Sequence, residues 1–491
     1  MRRVLLSFLH FAALFCSTLG GLPDDLQEGG VSALYPGDPG YEAASQAFNQ
    51  RYSFQPAAIA FPTSSEQVSI AIRAGAMHNL KVVARSGGHN YIANGLGGKD
   101  GSLVLDLSKL KKISYDTESQ SAVIEPGNRL GDIALALNEY GRAIPHGRCS
   151  YVGVGGHAAG GGFGFVSRMW GLNLDAVQSV EAVLANGTIV TASSTENSDL
   201  FWGLRGSASS FAIVTSLNFR TFPVPTSATI FRYSWSFDVD AATNALYKFQ
   251  SFVESDIPRE LGGELVLTQG PSAGQLNVQF FGGYWGPLNT FNQTVAPYLQ
   301  VLPEPSDRSI DSGNWLEGLE ALLYGALNTS TAPDPLDTFY AKSVLTPKDE
   351  PLTEEATRTF IAYLANEGFA SETSWFVEVE LYGGSNSAIS AVPVDDTAFV
   401  HRDTRFNFQL YASSPNAQPP YPESGFTFVD GMASSIISQM PEHWNWGAYI
   451  NYPDDRLDDW EKLYFGSHWE RLRSLKQSVD PSNVLSYPLS V

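Results

Sequence analysis

The stretch HGRCSYVGVGGHAAGGGFG, residues 146–164, places seven glycines in the twelve positions from Gly153 onward, and sets Cys149 beside Arg148 just ahead of them. A glycine has no Cβ, so a run of this density lets the backbone approach a ligand or another backbone closely. Gly153, Gly155, Gly156 and Gly161, with His157 among them, are the candidate contacts. A dinucleotide fingerprint can be forced onto Gly153-Val154-Gly155. Its third glycine falls out of step, and no βαβ unit with a ribose-binding acid follows, so a Rossmann site is rejected. Cys149 has two readings: a buried thiol packed as a small hydrophobe, or a thiol whose anion is favoured by the neighbouring cation and used chemically.

Two further stretches carry candidate chemistry. Arg85-Ser86-Gly87-Gly88-His89-Asn90-Tyr91 runs from a strand into a Gly-Gly turn and presents a histidine. Successive N–H groups in such a turn form an anion-binding nest suited to phosphate; the bland reading is a tight turn with a surface histidine. In Tyr449-Ile450-Asn451-Tyr452-Pro453-Asp454, strand alternation puts Tyr449 and Asn451 on one face, and Ile450 and Tyr452 on the other. A tyrosine serves as a general base where neighbours depress its phenol pKa, although strand tyrosines are more often packing residues.

Composition narrows the class. Residues 1–20 pair a basic start with an apolar run and small residues, the pattern of a secretory signal peptide cleaved near Gly20. That would remove Cys16 and leave Cys149 as the single cysteine, which excludes an internal disulfide and any multi-thiolate zinc site. A net charge of −21 repels nucleic acid and anionic membranes. No later apolar run reaches the roughly 18–20 residues needed to span a bilayer. Sequons at Asn186, Asn292 and Asn328 suit secretion. No metal site is expected, since no histidine spacing fits one. The absence of GxSxG leaves a nucleophile-elbow hydrolase unsupported. A glycosidase carboxylate pair is compatible with the composition but leaves the His89 and Cys149 stretches unexplained.

Periodicity predicts helices at 66–79 and 129–140, strands at 81–85, 103–107, 122–125, 177–184, 188–192 and 211–219, and a two-residue hairpin at Asn186-Gly187. Beyond Pro225, aromatic strands are expected at 228–238, 264–268, 276–284, 375–382 and 405–412. Helices are expected at 241–255, 353–366 and 428–440, with a charged helix at 457–478. The fold class is α+β. The expected division is a leader (1–20), a first domain (21–225), a second domain on an antiparallel sheet (226–445) and a C-terminal return to the first (446–491).

Taken together, the three stretches resemble the berberine-bridge-enzyme-like branch of the vanillyl-alcohol-oxidase family of flavoproteins, and within it fungal oligosaccharide oxidases. Residues 50–225 and 395–490 carry the likeness, including TENSDLFWGLRG at 195–206, HRD at 401–403 and YPESGF at 421–426. The resemblance implies a two-domain FAD-binding fold with FAD bonded to His89 through the 8α-methyl group and to Cys149 through C6. The turns containing Arg85, Ser86, Asn90 and the 153–162 glycines would cradle the pyrophosphate, with Ile213, Tyr449 and Asn451 also at the cofactor. Tyr452 would be the base, assisted by Glu380, which stands where the sugar oxidases have an aspartate. Tyr91 and Gln409 would meet substrate, and a small Val152 would leave room for dioxygen.

Three residues depart from the family's sugar site. Arg148 replaces a small or neutral residue, Glu378 a glutamine and Phe376 a tryptophan. Arg148 and Glu378 either pair with each other or narrow the cleft and select a substrate with charge or a distinct polar edge. The expectation is a secreted, monomeric oxidase of the anomeric C1 hydroxyl of a mono- or oligosaccharide, giving lactone and hydrogen peroxide. An oxidase of a non-sugar alcohol or secondary metabolite is the alternative, and a flavin-bearing carbohydrate-binding protein without turnover is a third possibility.

Overall fold

The computed structural model describes residues 20–323 and 325–491, so the expected leader falls, but for Gly20, outside the described residues. Two sheets and the helices on them make up the first part. A four-stranded sheet runs Ser32–Leu34, Ala58–Phe61, Leu103–Asp106, Val82–Arg85, with the last three parallel. Helix Ser65–Met77 covers it, started by Ser64, whose hydroxyl accepts from the Gln67 N–H. Its apolar stripe, Val68, Ala71, Ile72 and Ala74, is buried. A five-stranded antiparallel sheet runs Ile113–Asp116, Ser121–Ile124, Ala212–Arg220, Val177–Leu184, Ile189–Ser193.

The second part is a seven-stranded antiparallel sheet: Asp307–Gly313, Ala228–Asp238, Gln275–Tyr284, Leu261–Gln269, Ser374–Leu381, Thr404–Ser413, Phe339–Pro347. Its period-two pattern divides its residues between two faces. Leu265, Val377, Val379, Phe406, Phe408 and Val344 pack under helices Val239–Glu254, Glu354–Ala370 and Glu423–Ile437. The opposite face turns Glu378, Glu380, Gln409 and Tyr411 toward a cavity shared with the first part. The chain then returns, burying Ala448, Ile450, Tyr464, Phe465 and Leu472 against Phe211 and Phe219.

Several local expectations are corrected. The 177–193 hairpin closes with Leu184 N–H donating to the Thr188 carbonyl, so its loop is Ala185-Asn186-Gly187, three residues with Gly187 left-handed, and not two. The glycine-rich run is not all turn: Val154–Gly160 is a short helix. The single helix expected at 457–478 is two, Trp460–Phe465 and Trp469–Val479, because Gly466 takes φ +49° between them. Residues 449–452 form a turn, with Tyr452 N–H donating to the Tyr449 carbonyl at 2.9 Å, and not a strand with alternating faces. That turn is why Tyr449 and Tyr452 both reach the cavity. No helix among the described residues is long and apolar enough to cross a membrane, and Asn186, Asn292 and Asn328 are exposed.

Candidate active site

One cavity of about 790 Å³ gathers the three stretches. Of the residues expected at the site, only Gly161 is absent from its wall; it packs instead against the ring of Tyr449. The glycine turns meet backbone to backbone. A Cβ on Gly87 would overlap the Gly153 backbone, and one on Gly153 would overlap Gly87. Gly156, by contrast, has open space where a Cβ would stand. Ser86 couples the turns further: its hydroxyl donates to the Pro126 carbonyl and accepts from Gly155 N–H at 3.3 Å. Arg85 and Asn90 serve the turn itself. Arg85 pairs with Asp106 and donates to the Ala44 carbonyl, and Asn90 Oδ1 accepts from Ile92 and Asn94 N–H.

At the floor of this wall, Cys149 Sγ lies 3.7 Å from His89 Nε2. Phe48 stacks on the imidazole at 3.6 Å, and Asp334 Oδ1 stands 3.4 Å from the same nitrogen. Burial alone would lower the His89 pKa, but Asp334 and Cys149 raise it to about 9. The turn carrying Cys149 is pinned by His157, whose Nε2 accepts from Gly147 N–H at 3.0 Å. Burial, with His146 beside it, drops the His157 pKa to about 3, which keeps that nitrogen an acceptor. Tyr449 Oη accepts from Gly162 and Phe163 N–H, and Asn451 donates to it and to the His157 carbonyl. Both therefore clamp the glycine run from behind. Asp454, almost fully buried, holds their turn through Lys342 at 2.5 Å and Tyr340 at 2.9 Å.

The opposite wall is side chains. Tyr452 Oη donates to Glu380 Oε1 at 2.8 Å, and Asn407 Nδ2 holds Oε2 at 2.5 Å. Tyr91 stacks parallel on Tyr452 at 5.6 Å, and its hydroxyl accepts from Gln409 Nε2 at 2.7 Å. Phe376 stacks on Tyr411 at 4.7 Å. Arg148 pairs with Glu378 at 2.9 Å, the first of the two readings, and with a second carboxylate, Glu264, at 2.8 Å. Its guanidinium lies over the Phe165 ring at 4.6 Å. Glu264 sits directly across from Glu380 in the sheet. Oxygens of Glu264, Glu378 and Glu380 thus come within 4.8 Å of one another, with a single guanidinium among them.

This crowding sets the titration. Burial and then Glu378 push Glu380 up to about 8, against the hydrogen bonds from Tyr452 and Asn407 and the field of Arg148. Burial likewise holds Glu264 well above the carboxylate range. The Tyr452 phenol is not depressed. Burial and the Glu380 charge raise it well above its ordinary value, so it is a proton donor to Glu380 in this state.

Phe48, Glu264, Asp334, Asn407 and Tyr411 were not among the expected site residues. Glu264 carried a signal, a lone charge in the apolar run LGGELVL. Asn407 alternates with Gln409 on one strand face. Phe48 and Asp334 lie in irregular segments with no pattern to read.

A large cavity with a close glycine backbone on one side, and an imidazole and a thiol whose nearest atoms are 3.7 Å apart, suits a bulky cofactor with two attachment points. The comparisons agree with that fit. Residues 56–193 match the family model described as FAD binding domain, and residues 448–491 match the one described as berberine and berberine like. The chitooligosaccharide oxidase of Gibberella zeae is 36% identical over 97% of this chain and 93% of its own. An FAD-linked oxidoreductase of Metarhizium anisopliae is also 36% identical, over 95% of this chain and 90% of its own. A solved glucooligosaccharide oxidase of Acremonium strictum superposes with TM-score 0.88 at 34% identity, covering 96% of this chain and 99% of that one; its description names a 6-S-cysteinyl, 8α-N1-histidyl FAD. The chain belongs to the berberine-bridge-enzyme-like FAD-linked oxidoreductases, with the two-domain FAD-binding fold of the vanillyl-alcohol-oxidase type. Within that family it is an FAD-linked carbohydrate oxidase, akin to the fungal oligosaccharide oxidases.

Proposed function

We propose that this enzyme oxidises the anomeric C1 hydroxyl of a mono- or oligosaccharide to the lactone outside the cell, using FAD bonded to both His89 and Cys149 and reducing dioxygen to hydrogen peroxide. The observation that carries this reading is the Tyr452–Glu380 hydrogen bond, 2.8 Å, in the same cavity as the His89–Cys149 pair. Positions 6 and 8α lie on one ring of the flavin, so a thiol and an imidazole ring this close suit double attachment. FAD supplies the hydride acceptor at N5 and passes the electrons to dioxygen.

The protein's part is positioning and proton transfer. Tyr452 receives the substrate hydroxyl proton while passing its own to Glu380, so a phenol held neutral at rest still serves as the base. Asn407 fixes the carboxylate's orientation. Tyr91, stacked on Tyr452, and Gln409 line the approach for a sugar ring. Val152, on the cavity wall, keeps the flavin side open to dioxygen. The enzyme is proposed to act as a monomer. Secretion and glycan at Asn186, Asn292 and Asn328 complete the proposal, and the acidic surface does not oppose a neutral glycan.

The test is a panel of reducing sugars, with anaerobic flavin bleaching and aerobic peroxide as paired readouts. Bleaching and stoichiometric peroxide with a sugar are expected. The second reading, oxidation of a non-sugar alcohol, draws on the Arg148–Glu378–Glu264 cluster at the sheet wall. Turnover of such an alcohol with no response to any sugar would replace the first reading by the second.

A further inference from the structure

Asp334 lies in the irregular segment between helix Trp315–Leu322 and strand Phe339–Pro347, on the cavity wall. Its Oδ1 is 3.4 Å from Nε2 of His89, the nitrogen that Cys149 Sγ also faces at 3.7 Å. Phe48 fixes the plane of the ring by stacking on it. The contacts of His89 thus gather on Nε2, and Nδ1 has no hydrogen bond among the described residues. A carboxylate that accepts the N–H of one ring nitrogen selects the tautomer with its lone pair on the other, and makes that other nitrogen more basic.

We propose that Asp334 activates His89 for bonding to the flavin, accepting the Nε2 proton as Nδ1 forms the new bond. The inference rests on the reading of His89 as a covalent attachment site. In the step, an N–C bond forms between Nδ1 and the 8α carbon, while one C–H bond of that methyl and the imidazole N–H bond break. The electron pair of the C–H bond and both hydrogens end on the isoalloxazine, which is reduced. Dioxygen, the acceptor of this oxidase family, then takes two electrons and two protons and leaves as hydrogen peroxide. Asp334 holds the imidazole proton in transit and is unchanged at the end. It is a positioning residue, since it acts through His89. The raised pKa of the imidazole, with Asp334 the first group to lift it against burial, is the same contact seen electrostatically. Sugar oxidation by Tyr452 and Glu380 on the opposite wall does not require Asp334.

The test is peptide mass spectrometry of the purified holoenzyme, reading flavin on the His89 peptide and on the Cys149 peptide separately. Wild type carries both links. In Asp334→Asn, attachment at His89 slows by roughly 10²-fold, so most molecules are linked through Cys149 alone while the protein stays folded. Should the amide variant not fold, Asp334→Ala takes its place, and formate added during growth restores part of the histidyl link. A folded variant with His89 occupancy equal to wild type overturns the proposal. So does loss of fold in both variants, because Asp334 then merely supports the structure. A wild-type protein lacking flavin on the His89 peptide instead overturns the double-attachment reading, a separate outcome.

Discussion

The cavity has two walls built by opposite means. The wall of residues 85–91 and 147–157 is backbone: Gly87 and Gly153 touch with no room for a Cβ between them. The side chains there, Arg85, Ser86, Asn90 and His157, mostly bond within the wall. The wall of the seven-stranded sheet is side chain: three carboxylates and an amide pair on one face of a regular sheet, met by the Arg148 guanidinium and the stacked phenols of Tyr91 and Tyr452, which reach across from the facing turns. A backbone wall fixes shape and tolerates no added atom. A side-chain wall on a rigid sheet fixes charge, and can be retuned by single substitutions without moving its neighbours. The first suits a cofactor that never leaves, the second a substrate that must be distinguished and deprotonated.

That contrast predicts substitutions of different kinds. Tyr452→Phe, on the turn that faces the sheet wall, should keep the flavin and slow its anaerobic reduction by about 10²–10⁴-fold; unchanged stopped-flow reduction would remove Tyr452 from the chemistry. Arg148→Met leaves Glu264 and Glu378 buried without their cation and should cost about 3–5 kcal/mol in denaturant unfolding. Its stability should fall further as pH rises, because the Glu264 carboxyl, whose folded pKa lies above the unfolded value of about 4.5, favours the fold only while protonated. Equal stability in the variant would mean that the cluster is not held by its guanidinium. Gly87→Ala on the glycine wall should cost about 1–3 kcal/mol by overpacking and lower flavin content, with little change in the reduction rate of the molecules that load. If its main effect were on rate, the division between the walls would fail.

The smallest effect is on pH dependence. Glu380 must be ionised to take the Tyr452 proton, and its pKa is raised to about 8. Flavin reduction should therefore climb with pH through about 8 and level off above it, and Glu380→Gln should flatten the profile. A profile already flat from pH 6 would mean that Glu380 is not the acceptor.

The two walls also differed in how far they could be read from sequence. Glycine density and the GGH and HGRC words are local, so His89, Cys149 and their turns are visible in the chain. Strand period likewise exposes the sheet, and Glu380, Glu378 and Gln409 on it. What lies across strands is not local. The Glu264–Glu380 register depends on pairing between residues 116 apart in sequence, and Asp334 reaches His89 from an irregular segment. Tyrosine and isoleucine favour strands, yet residues 449–452 form a turn, because a tertiary clamp on Tyr449, through Gly162, Phe163 and Ser343, decides their shape.

The fate of the flavin when the fold is destroyed tests the two anchors, His89 and Cys149, most directly. Acid-precipitated protein should remain yellow. His89→Ala and Cys149→Ala should each stay yellow through the remaining bond, and the double variant should release its colour to the supernatant. A colourless wild-type pellet with FAD in solution would contradict the assignment of His89 and Cys149 as the two anchors around which the backbone wall is built.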